Sequence, residues 1–308
     1  MRAPLRVAIV GGGNVGAVLG RILRERGSVV TAVVSRKRVT ARRAASFIGC
    51  RRYGDDIGEI PSATDIIYLA VPHSAIAEVA GALAASEALP FGRMAVCHAS
   101  GMLSADVLAP VGRRGALTFS FHPLQTFPRG FPPKRILPTA RGIWYGIDGS
   151  PEGCRKARAL ARALGGHTID IPPARRVLYH AACVVASNHL TGLLASLEEM
   201  HAAVTGTPRG ALAPYGPILQ ATLGNVLATS PGAALSGPVA RGGVETVRQH
   251  LEAVGRFCPG LLPYFARMTQ ETIRLAVRGG TLAPERRTAM EDLLKSISDT
   301  SHISGRTQ

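Results

Sequence analysis

The feature that most constrains the fold of this chain is a glycine-rich turn near its start. The stretch VAIVGGGNVGAVLGRIL places Gly11, Gly13 and Gly16 directly after an apolar run and directly before a segment with helical spacing. Gly11 permits a tight turn, Gly13 lets backbone N–H groups approach a pyrophosphate, and Gly16 lets the helix pack closely on the strand. The turn therefore predicts a dinucleotide site, and a glycine-rich turn without a ligand is the alternative. The residues predicted to contact the cofactor here are Gly11, Gly12, Gly13, Asn14, Val15 and Gly16.

The first half of the chain continues as apolar runs separated by helix-length segments. Because these runs are continuous rather than alternating, they indicate a parallel sheet covered on both faces. The predicted strands are 5–10, 29–34, 65–71, 94–98, 115–121, 142–147 and 167–171, and the predicted helices are 14–25, one from about 40, one from 74 and 151–164.

The second half changes character, since every periodic segment after residue 173 has helical spacing, beginning with a long helix over 174–204. The sequence thus predicts an α/β fold in which an N-terminal Rossmann doubly wound parallel sheet is followed by an all-α C-terminal domain. The predicted boundaries are 1–172 for the cofactor-binding domain, 173–300 for the helical substrate and dimerisation domain, and 301–308 for a disordered tail.

The end of the second strand indicates which dinucleotide is bound. An NAD site places Asp or Glu there to bind the ribose hydroxyls. This chain instead has Ser35, Arg36 and Lys37, followed by Arg38. A hydroxyl and several cations favour a 2′-phosphate, so the sequence predicts NADP rather than NAD.

Polar residues follow three of the predicted strands, at the edge where ligands bind in open parallel sheets. Ser100 could face a nicotinamide ring, and His122 and Gln125 could contact a substrate, together with Thr126. The alternative for Gln125 and Thr126 is a turn in which they bond only backbone. No carboxylate or cysteine accompanies the histidines at ligand spacing, so no metal site is predicted. The residues predicted to pass under the cofactor are Ala70, Val71, Pro72 and His73.

The long helix has a polar strip on an otherwise apolar surface. At 100° per residue, His180 and Ser187 lie within about 20° of each other, with Asn188 beside them and Thr191 one turn on. Such a strip predicts a wet cleft or a polar partner, and in a cleft His180 could deliver a proton and Asn188 could hold the substrate. The alternative is Ser and Thr hydroxyls bonded to their own helix and an interior histidine. Arg241, just before a later helix, could clamp a carboxylate or could be a solvated surface arginine.

The composition bounds the class of partner. The net charge is +16, but the basic residues are almost all arginines spread along the chain, so nucleic-acid binding is not predicted. Apolar runs are short, which predicts no membrane span. Five scattered cysteines without a C-x-x-C motif indicate reduced thiols in a cytoplasmic protein.

Taken together, VAIVGGGNVG, DIIYLAVPH, HASG, FHPLQTF, YHAACVVASNHL and SGPVARGGVETVRQHL resemble the Rossmann-like and DUF2520 domain proteins. That family is similar to pyrroline-5-carboxylate reductases, ketopantoate reductases and 6-phosphogluconate dehydrogenases. The resemblance implies an NADP-binding Rossmann domain and a helical domain, like the C-terminal domain of 6-phosphogluconate dehydrogenase, that often builds a dimer.

Two departures from the wider group matter. Its hydroxyacid dehydrogenases use a helix lysine for acid–base work, and this chain has no lysine between Lys156 and Lys295. Related members also tend to have an acidic residue where this chain has Gly243. We therefore expect an NADP-dependent oxidoreductase acting on a C=O or C=N carbon of a small carboxylate-bearing substrate, with His180 in the role of the lysine. A non-catalytic NADP(H)-binding sensor is the alternative, and a DNA-associated scaffold is a third reading.

Overall fold

The apolar runs of the first half form one eight-stranded sheet in the computed structural model, which describes residues 3–304. The order of the strands is β3-β2-β1-β4-β5-β6-β7-β8. Neighbours are parallel except β6 and β7, so β7 and β8 run against the other six. The strands are β1 Arg6–Val10, β2 Val29–Val34, β3 Tyr53–Gly54, β4 Ile66–Leu69, β5 Ala95–His98, β6 Leu117–Pro123, β7 Trp144–Gly149 and β8 His167–Asp170.

Side chains of the central strands are buried on both faces of this sheet. Val7 and Ile9 of β1 belong to one apolar cluster, whereas Ala8 and Val10 belong to another. Successive side chains of a strand point to opposite faces, so each face has its own core. The predicted doubly wound α/β fold is therefore confirmed, with the qualification that the last two strands are reversed.

The helices of the first unit cover these two faces, and those over 14–25 and 151–164 begin and end where the sequence predicts. Strand β3 was not predicted, because two residues are too few to show a periodicity. The helices are α1 Asn14–Glu25, α2 Arg38–Ile48, α3 Ile76–Ala85, α4 Ala109–Gly112, α5 Pro133–Ile136, α6 Pro151–Leu164 and α7 Arg176–Val184.

The strand order reverses between β1 and β4, which are neighbours although β2 and β3 intervene in sequence. Ligands of open α/β sheets bind in the crevice that such a reversal leaves at the carboxyl ends of the strands. Here the glycine turn follows β1, and residues 70–73 follow β4, so both predicted segments meet at this crevice.

The second unit is all helical. Its core consists of apolar residues from α11, α12 and α13, among them Leu251, Ile273 and Met290. The helices of this unit are α8 Leu190–Thr205, α9 Gly216–Ala228, α10 Pro231–Ala234, α11 Val244–Phe257, α12 Leu262–Arg278 and α13 Pro284–Ser304. Helix α13 extends four residues into the predicted disordered tail, and residues 305–308 lie outside the described part of the chain.

The long predicted helix is interrupted by a π-helical turn, Val185–His189, between α7 and α8. The two compact units divide within this turn, between Ser187 and Asn188, rather than at the predicted boundary before residue 173. The first turn of α7 belongs to the sheet unit because Arg176 is buried there, as described below. A π turn holds more residues than an α turn, so the strip predicted at 100° per residue does not continue through it.

One helical stretch, Pro173–Thr205, is long and apolar enough to cross a membrane by length and composition alone. None of the residues in its most apolar window is buried. The short apolar runs thus join into one continuous helical stretch, but a single such helix is weak evidence for a membrane span, and the absence of a span stays a prediction.

Candidate active site at the strand ends

The surroundings of Gly11, Gly13 and Gly16, in the turn after β1, differ in the way that their predicted roles require. A Cβ on Gly11, whose φ is +119°, would lie 2.3 Å from the carbonyl oxygen of Ala70. A Cβ on Gly16 would lie 2.1 Å from the carbonyl oxygen of Gly11. A Cβ on Gly13, by contrast, would meet nothing within 4 Å. Gly11 and Gly16 are therefore glycines because the protein is crowded there, and Gly13 leaves an open cradle that a pyrophosphate fits.

Helix α1 begins at this cradle without a side chain at its N-cap, and its first turn has no acidic residue. The N–H groups of its first turn and the helix dipole both favour an anion. Asn14, predicted as a cofactor contact, donates from Nδ2 to the carbonyl oxygens of Pro128 (2.6 Å) and Phe131 (3.1 Å). It thereby ties the glycine turn to the loop after β6.

The cations after β2 are exposed. Arg36 and Lys37 make no ion pair with any residue of the described chain, whereas Arg38 lies 3.8 Å from Asp55 and over the ring of Tyr53. Two unpaired cations beside a half-buried Ser35 suit a phosphate on the ribose.

A cavity of about 260 Å³ lies at the ends of β4, β5 and β6. It brings together five residues predicted to contact the cofactor, Val15, Ala70, Val71, His73 and Ser100, with His122 and His180. Pro72 precedes the short turn that contains His73. The cavity is completed by Ala99, Gly101 and Met102.

Among the residues that line this cavity, His122 is the one whose pKa is shifted furthest from its usual value. Its Nδ1 lies 2.8 Å from the hydroxyl of Tyr179 on α7. Burial, reinforced by the nearby charge of Arg176, lowers the pKa of His122 to about 3. His122 is therefore neutral at physiological pH, and it can bind a substrate atom through a hydrogen bond but does not supply an ionised proton donor.

His98 lies directly behind the cavity wall and is fully buried. Its Nδ1 accepts from the N–H of Ser100 (3.2 Å), so its Nε2 donates to the carbonyl oxygen of Ser104 (3.0 Å). Burial lowers its pKa to about 4. The hydroxyl of Ser100 accepts from the N–H groups of Met102 and Leu103. His98 and Ser100 thus shape the loop after β5.

The same loop is held by a buried ion pair that the sequence did not reveal. Arg176 and Asp148 lie 2.7 Å apart with side chains 1% and 3% exposed. The guanidinium also donates to the Ser120 hydroxyl (2.7 Å) and to the carbonyl oxygens of Ser100 (2.9 Å) and Gly101 (3.3 Å). It therefore fastens the loop that lines the cavity to β6, β7 and α7.

His180 follows Tyr179 on α7 and lines the cavity. Its ring centroid is 6.3 Å from that of His122. A Cβ on Gly101 would lie 2.9 Å from both His122 Nε2 and His180 Cδ2. The two imidazoles therefore converge on Gly101, and the His180 ring makes no hydrogen bond to another described residue, so its nitrogens are available to a ligand in the cavity.

Other predicted site residues have local bonds. Gln125 donates from Nε2 to the carbonyl oxygen of Thr139 (2.5 Å) and accepts through Oε1 from the N–H of Thr126 (2.7 Å). The Ser187 hydroxyl donates to the carbonyl oxygen of Cys183 (2.8 Å). These are the contacts of the alternatives given above, a bonded turn and a hydroxyl bonded to its own helix.

Asn188 and Arg241 belong to the second unit. Asn188 lies in the π-helical turn, and Arg241 is exposed in the turn before α11. Their roles toward a substrate stay predictions. Among residues 3–296, whose side chains the structure describes, no group of three or more His, Cys, Asp or Glu is placed to hold a metal ion.

Comparison with known proteins gives two family matches. Residues 1–123 match the Rossmann-like domain. Residues 143–272 match DUF2520, a domain of unknown function. No curated protein matches the sequence.

Solved structures share the fold. A candidate NADP oxidoreductase from Bacteroides fragilis is 20% identical with a TM-score of 0.66, over 88% of this chain and 98% of that one. A reductive aminase from Aspergillus terreus, in complex with NADPH and ethyl-5-oxohexanoate, is 16% identical with a TM-score of 0.56, over 97% and 95%. A variant imine reductase from Myxococcus stipitatus, in complex with NAD+, is 15% identical with a TM-score of 0.54, over 90% and 99%.

Proposed function

The chain belongs to the family of proteins that join a Rossmann-like domain to a DUF2520 domain, and from this premise we propose that it is an NADP(H)-dependent oxidoreductase. Its reaction transfers hydride to or from the C=O or C=N carbon of a small substrate that bears a carboxylate. One observation carries the proposal: a single cavity places His122 and His180 against Val15, Ala70 and Val71, at the crevice where the strand order reverses.

The residues of this crevice fit a nicotinamide dinucleotide. Gly13 and the start of α1 would hold the pyrophosphate, because the position of a Gly13 Cβ is open and the helix has no side-chain cap. Ser35, Arg36 and Lys37 would hold the 2′-phosphate, and residues 70–73 and Ser100 would line the path to the reacting ring. The chemistry that such a cofactor supplies when bound is hydride transfer at its nicotinamide.

The protein's own contribution is made by the histidines. His180 is the proton donor of this proposal, because it lines the cavity beside His122 and makes no hydrogen bond to another described residue. His122 is neutral and contributes a hydrogen bond. Two structures that share the fold are a reductive aminase and an imine reductase, both named for chemistry at C=N bonds. This supports a C=O or C=N carbon as the reacting centre in the proposal.

The exposed apolar surface of Pro173–Thr205 supports a further part of the proposal, a homodimer in which a second copy covers this helix. Covering it in that way agrees with a cytoplasmic protein, since a soluble monomer rarely exposes a large apolar patch. The mass of the purified protein in solution tests this, and a monomer would contradict it.

The proposal is tested first by cofactor binding. NADPH and NADH are titrated with purified protein while the nicotinamide fluorescence is followed. We expect NADPH to bind more tightly, and we expect Arg36→Asp to weaken NADPH at least roughly tenfold, since a carboxylate replaces a cation beside the phosphate. Arg93→Asp is the matched control, because Arg93 is exposed before β5 and makes the same change of charge elsewhere.

Turnover is then measured as NADPH oxidation with a panel of 2-oxo acids and cyclic imines, for the wild type and His180→Gln. A substrate whose kcat falls in His180→Gln supports the assignment of the proton donor. Equal affinity for NADH and NADPH would refute the cofactor assignment. Tight NADPH binding without oxidation by any member of the panel would favour the non-catalytic sensor.

A further inference from the structure

We propose that Tyr179 holds His122 in the tautomer whose Nε2 carries the proton, so that His122 is a neutral hydrogen-bond donor at the wall of the cavity. The assignment of a substrate to this donor rests on the proposed function. The tautomer itself is a property of the folded chain and is testable without any substrate.

The contact between the two side chains is well defined. His122 Nδ1 and Tyr179 Oη are 2.8 Å apart, and the two rings meet edge to face at 89°. Tyr179 lies one turn after Arg176, whose buried ion pair anchors the start of α7 on the sheet. A Cβ on Gly146 would lie 2.5 Å from Tyr179 Oη, so the hydroxyl fits against bare backbone. The position of the phenol is therefore fixed from several sides.

The direction of the hydrogen bond follows from the chemistry of its two ends. Burial raises the pKa of Tyr179, so the phenol keeps its proton. Burial lowers the pKa of His122, so the imidazole is neutral and has one nitrogen that accepts. The other polar neighbour of the phenol, the Cys183 thiol, is a weak acceptor. The hydroxyl of Tyr179 therefore donates to His122 Nδ1, which leaves the ring proton on Nε2.

The second nitrogen of the ring lies at the cavity. His122 Nε2 is close to Gly101, where a Cβ would come within 2.9 Å of it, and both residues line the cavity. Because Gly101 has no side chain, the N–H of His122 is not covered by one. A ligand in the cavity can accept a hydrogen bond there.

This donor suits the proposed reaction. When hydride adds to a C=O or C=N carbon, negative charge develops on the oxygen or nitrogen, and a fixed N–H aimed at that atom stabilises it. His122 keeps its proton throughout, since the step forms only a hydrogen bond. The proton that neutralises the product comes from His180. Tyr179 acts through His122 and is a positioning residue.

The test is the ¹⁵N spectrum of the full chain labelled at histidine, with His122→Asn used to assign the His122 signals. We expect Nε2 to be protonated and Nδ1 to be an unprotonated, hydrogen-bonded acceptor. In Tyr179→Phe we expect the Nδ1 signal to shift to that of an acceptor without a donor. On any substrate that is turned over, kcat should fall roughly tenfold while NADPH affinity stays unchanged.

Tyr68→Phe is the matched control. It removes another buried hydroxyl of the same unit, one that donates to the carbonyl oxygen of Phe121 (3.3 Å) and does not line the cavity. We expect it to leave the protonation of His122 unchanged. A proton on Nδ1 in the wild type, or His122 signals that do not change in Tyr179→Phe, would overturn the inference. If the protein had no oxidoreductase activity, these spectra would still report the tautomer of His122. Failure of the proposed function and failure of this inference are therefore distinguishable.

Discussion

The two ends of the strand-end crevice are built in opposite ways. The nucleotide end, residues 11–16 and 35–37, depends on missing side chains and on exposed cations without partners. The histidine end, residues 98–101, 120–122, 148 and 176–180, depends on buried polar side chains that bond one another. One end is left open for a charged ligand, whereas at the other the polar groups are bonded within the protein, apart from the His180 ring and Nε2 of His122.

Because of this difference, substitutions at the two ends should differ in their effects on ligand affinity and on folding stability. Changes at the nucleotide end should alter ligand affinity with little effect on folding, whereas changes at the histidine end should first affect folding. An open site makes few contacts within the protein, so a substitution there removes little free energy of folding. The members of a buried polar network have given up their contacts with water, so a substitution that leaves one of them unpaired destabilises the fold.

The largest effect is expected for Asp148→Asn. It leaves the Arg176 cation buried without its counter-charge, and breaking a buried ion pair in this way costs about 3–5 kcal/mol. The free energy of unfolding in urea measures this. Asp170→Asn is the control, because it breaks an exposed ion pair with Arg158 (2.7 Å) in the same unit. Similar losses in both variants would contradict the contrast between the two ends.

A change of pH should affect the histidine end next. The pKa values of His98 and His122 lie below the usual 6.5 because of burial, at about 4 and about 3. The unfolded chain therefore binds more protons below pH 6.5, so the stabilisation is present above that pH and is lost as the pH falls toward the folded values. Each histidine should cost about 1.4 kcal/mol for each pH unit in this range.

This dependence is measured as the free energy of unfolding at pH 7, 6 and 5, a window above the range in which carboxylates titrate. His122→Asn should remove one of the two contributions and so reduce the slope. If the stability of the wild type did not fall between pH 7 and 5, the assignment of two neutral buried histidines would be wrong.

The smallest effect on stability should come from the nucleotide end. Gly13→Ala adds a methyl group in open space, so we expect a change within about 0.5 kcal/mol, together with an NADPH affinity at least roughly tenfold weaker because the cradle is filled. Gly16→Ala, three residues on, forces a Cβ against the carbonyl oxygen of Gly11 and should cost about 1–3 kcal/mol. A Gly13→Ala protein that binds NADPH normally would break the comparison.

The same contrast explains what could be predicted from the sequence. The glycine turn, the cations after β2 and the predicted strands of the sheet are local patterns, and the structure has the strands and helices of the first half at or near the predicted positions. His122 and His180 were found because each lies at the end of a strand or on a long helix whose surroundings are apolar.

Arg176, Asp148, Ser120 and Tyr179 were missed for a physical reason. They meet only through the pairing of β6 with the reversed strand β7 and the packing of α7 on both, and no local spacing encodes that. A basic residue within PPARR looks like a solvated charge. The one available signal was Asp148 directly after the predicted apolar strand 142–147, since a carboxylate that continues a buried strand needs a buried partner. The polar strip on the long helix was predicted to extend too far, because a period of 100° per residue does not hold through the π-helical turn.

Gly101 illustrates how a site can fail without losing any of its functional groups. Both imidazoles of the cavity converge on this residue, where a single added methyl group would collide with each. A mutation to alanine would leave every donor, acceptor and charge of the site in place, yet it would push apart the two imidazoles that the proposed function assigns to one substrate. Activity could thus be lost through a substitution at a residue that has no reactive side chain, while the fold and the cofactor site stay intact.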